Sequence, residues 1–174
     1  MYCGYWNCHN KIKGDYSAVK NGEMYDLDIY LHGFCDIFAT ELARKMQEQG
    51  IPFEICIIVN ENGLVHCFLW IESPEEDINY YIDVRGITSD ENEFFDDFAD
   101  FFDYYSWEQG ENCGEEDILF FYDIGTFQRK VHELTGFESS FFKEETEGAK
   151  KIIDGFREYY ILPDEILKEI REEA

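Results

Sequence analysis

Positive charge is scarce in this chain: 14 Lys and Arg stand against 39 Asp and Glu in 174 residues, a formal net charge of −25. Nucleic-acid binders need a basic footprint to displace counterions from phosphate, and this surface repels phosphate instead. Direct nucleic-acid binding is therefore excluded, and anionic membrane surfaces are disfavoured for the same reason. Long apolar runs are missing too; no stretch approaches the roughly 20 residues needed to span a bilayer. Met1–His9 has no basic segment leading into an apolar one, so no signal peptide is expected. No internal repeat, low-complexity tract or Pro- or Ser-rich linker divides the chain. The six cysteines (Cys3, Cys8, Cys35, Cys56, Cys67 and Cys113) lack the regular spacing of a disulfide framework. They read as free thiols in a reducing cytoplasm, most of them small buried hydrophobes.

What is present is material for a core. The chain is 45% hydrophobic and 18% aromatic, which rules against disorder despite the charge. Its length suits one domain over residues 1–174 that buries most of its apolar surface. Residues 1–31 have weak periodicity and read as an irregular N-terminal layer. Phe34, Cys35, Phe38, Ala39, Leu42 and Met46 recur at helical spacing, and Gly50 and Pro52 stop that helix. Phe53–Val59, Leu64–Ile71 and Asn79–Val84 read as three strands of an antiparallel meander, with Asn60-Glu61-Asn62-Gly63 as the first turn. Residues 88–174 read as an acidic, mainly helical extension. Within it, Glu91–Tyr105 has the pattern of an amphipathic helix, aromatic on one face and acidic on the other. Ile118–Ile124 fits a further strand, Thr126–Leu134 a helix ended by Gly136, and Ala149–Tyr160 and Pro163–Glu173 two closing helices.

Three residues stand out once these elements are placed. Cys35 opens a helix just after Gly33, where free backbone N–H groups and the helix dipole favour a thiolate. His66 lies mid-strand and shares a face with Leu64, Phe68 and Trp70. Asp83 lies on the next strand and shares a face with Tyr81 and Arg85. A four-residue loop, Ser73-Pro74-Glu75-Glu76, pairs Glu72 with Asp77 and Trp70 with Asn79, which sets His66 directly opposite Asp83. An aspartate there orients the imidazole as a general base, and the helix-start cysteine completes a nucleophile–base–orienter set.

Gly33-Phe34-Cys35-Asp36-Ile37-Phe38-Ala39 resembles the nucleophile helix of the papain-like superfamily, specifically its transglutaminase-like branch. Leu64-Val65-His66-Cys67-Phe68 and Tyr80-Tyr81-Ile82-Asp83-Val84 resemble that branch's histidine and aspartate strands. The order Cys, His, Asp and the separations of 31 and 17 residues suit the compact branch better than the papain proteases. The resemblance covers residues 33 to about 87. It implies an α+β fold in which the nucleophile helix packs on an antiparallel sheet, with Cys35, His66 and Asp83 catalytic and no cofactor. No oxyanion side chain is evident, although the Cys35 backbone N–H is placed to contribute.

Each residue also has a plainer reading. Cys35 fits as a buried helix residue beside Phe34, Phe38 and Leu42, His66 as a core histidine, and Asp83 as a partner of Arg85. Arg85 itself reads as part of a strand-ending turn with Gly86, or as a group that balances carboxylates or binds an anion. His32 competes with His66 for the role of base. Cys3, Cys8 and His9, with Cys113, lack the second ligand pair of a structural zinc site. The acidic pairs Glu75-Glu76, Asp96-Asp97 and Glu115-Glu116 match no calcium-loop pattern. No metal is expected.

Two functions follow. The first is a cysteine-dependent hydrolase or acyltransferase that acts on an amide or ester carbonyl through a Cys35 thioester, its acidic surface steering cationic proteins or amines towards it. The second is a binding protein, an acidic mimic of nucleic acid resembling phage-type anti-restriction and anti-CRISPR inhibitors, with a basic nucleic-acid-handling protein as partner. Its support is Ser89–Asp123, where carboxylates are frequent and Lys and Arg absent.

Overall fold

In a computed structural model, which describes residues 3–5, 17–75, 77–96, 98 and 118–173, the chain folds as a mixed α/β structure around an antiparallel sheet. The first elements are a hairpin, β1 (Ser17–Lys20) and β2 (Glu23–Asp26), and a short helix, α1 (Ile29–His32). From residue 17 on, this corrects the expectation of an irregular N-terminal layer; residues 1–2 and 6–16 lie outside the described residues. Asn21-Gly22 forms the hairpin turn with φ of 52° and 79°, the positive values that favour Asn-Gly at such turns. Its strands are only four residues long, too short to register as periodicity.

Helix α2 (Cys35–Glu48) begins after Gly33-Phe34 and ends at Gln49-Gly50. Gly50 takes φ 67°, the left-handed conformation that commonly closes a helix. One stripe of α2 (Phe38, Leu42, Met46) is almost wholly buried and packs on the sheet. The meander follows as expected: β3 (Glu54–Asn60), β4 (Gly63–Glu72) and β5 (Asn79–Asp83), with β6 (Gly86–Thr88) added by a tight turn at Val84-Arg85. The β3–β4 turn is fixed by Asn60, whose side chain accepts from Asn62 N–H at 2.8 Å.

The β4–β5 register differs from the one expected. Glu72 pairs with Asn79, Trp70 with Tyr81 and Leu69 with Ile82, so the loop is longer by two residues. Ser73 N–H donates to the Ile78 carbonyl at 3.1 Å, and Asp77 adopts φ 64°, extending the turn beyond Pro74 and Glu75. A slip of two keeps every side chain on its face, because strand periodicity is two. His66 and Asp83 thus still share a face, but as diagonal rather than direct neighbours.

Helix α3 (Glu91–Asp96) lays Phe94 and Phe95 on that face of the sheet, and Phe98 follows beside them. The remainder of the helix expected to Tyr105 lies outside the described residues. Strand β7 (Ile118–Phe121) returns to pair with β3, giving the order β6-β5-β4-β3-β7. The segment after residue 87 therefore supplies an edge strand of the same sheet as well as helices. Those are α4 (Ile124–Thr135), α5 (Lys143–Gly155), α6 (Arg157–Tyr160) and α7 (Asp164–Glu173). The Asp123 side chain caps α4 by accepting from Thr126 N–H at 2.9 Å, and Gly136 closes it at φ 76°. Helix α5 packs on α2, and Tyr160 of α6 donates its hydroxyl to the Val84 carbonyl at 2.7 Å, anchoring the turn that follows Asp83.

Candidate active site

Asp83 ends β5 and is held from three directions. His66 Nε2 lies 2.9 Å from its Oδ2. Arg85 donates its backbone N–H to Oδ1 at 2.8 Å, its Nε to both oxygens at 3.1 and 3.0 Å, and its Nη2 to Oδ2 at 2.6 Å. The expected neighbour and its plainer rival are both present: Asp83 bonds His66 and pairs with Arg85 at once. Diagonal residues of adjacent strands are within side-chain reach, which explains why the register slip does not separate His66 from Asp83.

The Asp83 bond occupies Nε2 of the imidazole and leaves Nδ1 for a second partner. Nδ1 is buried and makes no hydrogen bond of ordinary geometry among the described residues. Cys35, the first residue of α2, interacts with the His66 ring as a whole. The Cys35 thiol is held well below its ordinary value, by hydrogen bonding from the Cys67 thiol first and by His66 next, against burial. Burial likewise opposes a charged His66 ring, but Asp83 and Cys35 outweigh it and raise the imidazole above its usual value. Burial also works against ionisation of Asp83, and the charges of Arg85 and His66 overcome it, holding the carboxyl well below the usual range. Cys67, pushed up by burial, stays protonated as the donor. These are opposite shifts in neighbouring groups, the pattern by which environment sorts acids from bases.

The site is closed. Cys35 is 4% exposed, His66 0%, Asp83 2% and Arg85 3%. Phe98 stacks on the His66 ring at 4.4 Å between centroids with the planes 21° apart, and Phe94 and Phe68 pack around it. The Arg85 guanidinium lies under the same layer, 4.8 Å from the Phe94 ring, 5.0 Å from Phe98 and 5.3 Å from Tyr5. Tyr5 is brought there by Gly4, whose N–H donates to the Ile87 carbonyl at 2.8 Å. A cavity of about 800 Å³ beside α2, lined by Arg44, Gln128, Arg129 and His132 among others, does not reach Cys35. Nor does one of about 380 Å³ beside Trp70 and Tyr122.

The competing assignments fall elsewhere. His32 is exposed on α1, 3.8 Å from Asp28, and the histidine that acts on Cys35 is His66. Cys3 is exposed, with its sulfur 3.9 Å from Thr88 Oγ1; Cys8, His9 and Cys113 lie outside the described residues, as do Glu76, Asp97 and Glu115-Glu116. Among the described residues no group of three His, Cys, Asp or Glu is placed to hold a metal ion, and no helix is long and apolar enough to cross a membrane. Sequence reasoning missed the part played by Cys67 and the covering role of Phe98 and Tyr5. Alternation put Cys67 on the face opposite His66, which gave no sign that its thiol bears on Cys35.

No family model matches this chain, and neither does any curated protein or solved structure.

Proposed function

We propose that the protein is a cysteine-dependent hydrolase or acyltransferase of the transglutaminase-like, papain-like type. The observation that carries this reading is the His66 Nε2–Asp83 Oδ2 contact of 2.9 Å, which leaves Nδ1 open; in this reading Nδ1 is the nitrogen that serves Cys35. In this reading the Cys35 thiolate attacks an amide or ester carbonyl, and His66 delivers a proton to the leaving group. His66 then takes a proton from the incoming water or amine as the thioester is resolved. Asp83 fixes the ring orientation and stabilises the imidazolium. The helix N-terminus favours the negative sulfur. Cys35 is 4% exposed, so a substrate reaches it only when the side chains around it give way, and the acidic surface favours cationic proteins or amines as substrates.

One further observation supports a second reading, an acidic scaffold that binds a basic nucleic-acid-handling protein. Arg85 is the only Lys or Arg between Met46 and Gln128, and it is buried. That half of the chain therefore offers no cationic side chain to the surface.

A single experiment addresses both. Incubated with p-nitrophenyl acetate and with a glutaminyl peptide plus a primary amine, the protein is expected to gain a hydroxylamine-labile acyl group on Cys35, seen by intact mass. Cys35→Ala abolishes it, and His66→Ala slows it by about 100-fold, the typical contribution of a general base. Acylation that survives Cys35→Ala at an unchanged rate overturns the enzyme reading. Absence of acylation, together with salt-sensitive binding to a basic nuclease that is unaffected by Cys35→Ala, establishes the second.

A further inference from the structure

Strand register gathers aromatic rings and carboxylates at the end of the sheet away from Asp83. Trp70 of β4 stands directly opposite Glu54 of β3, and Glu72 follows Trp70 on the same face two residues later. On the other flank β3 pairs Ile55 with Phe121, so Tyr122, one residue past β7, comes into line with Glu54. Neighbouring strands lie roughly 4.8 Å apart. Two rings, Trp70 and Tyr122, therefore stand two strands apart with a carboxylate between them. These four residues, with Phe53 ahead of β3 and Glu173 in the last turn of α7, line the cavity of about 380 Å³. That volume is at the small end for ligand sites.

The cavity is anionic and nothing offsets it. None of its lining residues is Lys, Arg or His. Among the described residues Glu54, Glu72 and Glu173 make no ion pair, and no cation lies over Trp70, Tyr122 or Phe53. Glu173 also sits at the end of its helix where the backbone carbonyls already carry partial negative charge, so α7 adds to the potential instead of balancing it. Tyr122 registers that potential. Its hydroxyl is raised above the ordinary value by hydrogen bonding to Glu54 first and then by the Glu54 charge, with Glu72 adding to it. Carboxylates gathered in this way repel one another, and a bound cation relieves the repulsion.

The rings decide which kind of cation fits. A hard metal ion needs convergent oxygen ligands, and no group of three such side chains is placed for one among the described residues. An organic cation is attracted to the face of an aromatic ring, of tryptophan above all. Guanidinium is flat enough to lie against rings, and its fixed fork of N–H donors reaches carboxylates beside them, which a compact ammonium does less well. We propose that this cavity binds an arginine side chain of a basic protein, with the guanidinium against Trp70 and Tyr122 and with Glu54 and Glu72 as its carboxylate partners. The site lies apart from Cys35, and it serves either functional reading, since both call for a cationic protein.

The test is an NMR titration of the isotope-labelled full chain with N-acetyl-arginine methylamide. Saturable shifts are expected at the Trp70 indole N–H and at the backbone amides of Glu54, Glu72 and Tyr122. The citrulline counterpart, similar in shape but uncharged, is expected to bind at least about tenfold more weakly, with the lysine counterpart between the two. Trp70→Leu weakens arginine binding by about tenfold, the worth of one cation–π contact, and the double variant Glu54→Gln/Glu72→Gln by at least as much. Should Trp70→Leu not fold, Tyr122→Ala, at a position 74% exposed, makes the same test. Equal binding of arginine and citrulline overturns the proposal. So do shifts that fail to saturate, that spread evenly over the acidic surface, or that persist unchanged in the cavity variants. Lysine binding as tightly as arginine overturns the choice of guanidinium. Cys35→Ser is expected to bind arginine as the wild type does, so this result and the acylation result stand or fall separately.

Discussion

At the scale of single residues, the candidate site depends on a thiol that sequence periodicity set aside. Cys67 follows His66 on β4, and strict alternation turns it to the opposite face, yet its hydrogen bonding is the largest influence holding the Cys35 thiol down. Cys67→Ala removes that donor. The Cys35 midpoint is expected to rise by about one pH unit, while folding stability falls by about 1 kcal/mol for the small void left behind. A midpoint unchanged in an ultraviolet thiolate titration, read by difference against Cys35→Ser, would show that the Cys67 thiol contributes nothing. Cys35, His66 and Asp83 were legible because chain order, helix start and strand parity each survive small errors in placement. Arg85 was visible only as the lone cation of a long acidic stretch. Pattern alone does not distinguish a guanidinium that clasps a buried carboxylate from one that ends a strand in solvent.

Individual elements show where that legibility stopped. Hydrophobic alternation defined the faces of β4 and β5, but a shift of two residues satisfies it equally well, so loop length alone chose the register, and Asp77 in a left-handed conformation altered the loop. Helix α2 and the β3–β4 turn were readable because Gly50 and Asn60–Gly63 mark their ends. The β1–β2 hairpin was not, its four-residue strands carrying too few side chains for a pattern. Strand β6 owes its position to Gly86, which takes φ 114° and lies so close to the N-terminal segment that an added Cβ would stand 2.5 Å from the Gly4 carbonyl oxygen. Gly86→Ala therefore adds both backbone strain and a clash with main chain. It is expected to cost about 2 kcal/mol and to release Gly4 from Ile87, with a lower thermal midpoint and faster N-terminal proteolysis. Unchanged values for both would show that the two segments are not coupled.

For the whole molecule, excess negative charge and two aspartates with opposite shifts set the response to pH. Asp83 is depressed when folded, so it stabilises the protein above its unfolded value near 4, and that contribution is lost as pH falls further. Asp36 is raised to about 6 from an ordinary 3.8, so the folded state binds the extra proton between those values, and stability rises as pH falls through 6. General protonation of carboxylates relieves self-repulsion over the same range. Chemical denaturation at low salt is expected to show maximal stability between about pH 4 and 6, with Asp36→Asn flattening the slope on the neutral side. A maximum above pH 7 would contradict this account.

The sheet order also imposes a sequence of events on folding. Strand β3 meets β4 through a tight turn, whereas on its other side Ile55 must find Phe121, more than a third of the chain away. Closing that long loop costs more chain entropy than forming the hairpins, so the meander assembles first and β7 arrives late. During synthesis, His66, Asp83 and Arg85 can come together while the isoleucine-rich edge of β3 is still bare. That interval is when the chain is most prone to pair with a neighbouring copy, and the arrival of Ile118–Phe121 ends it.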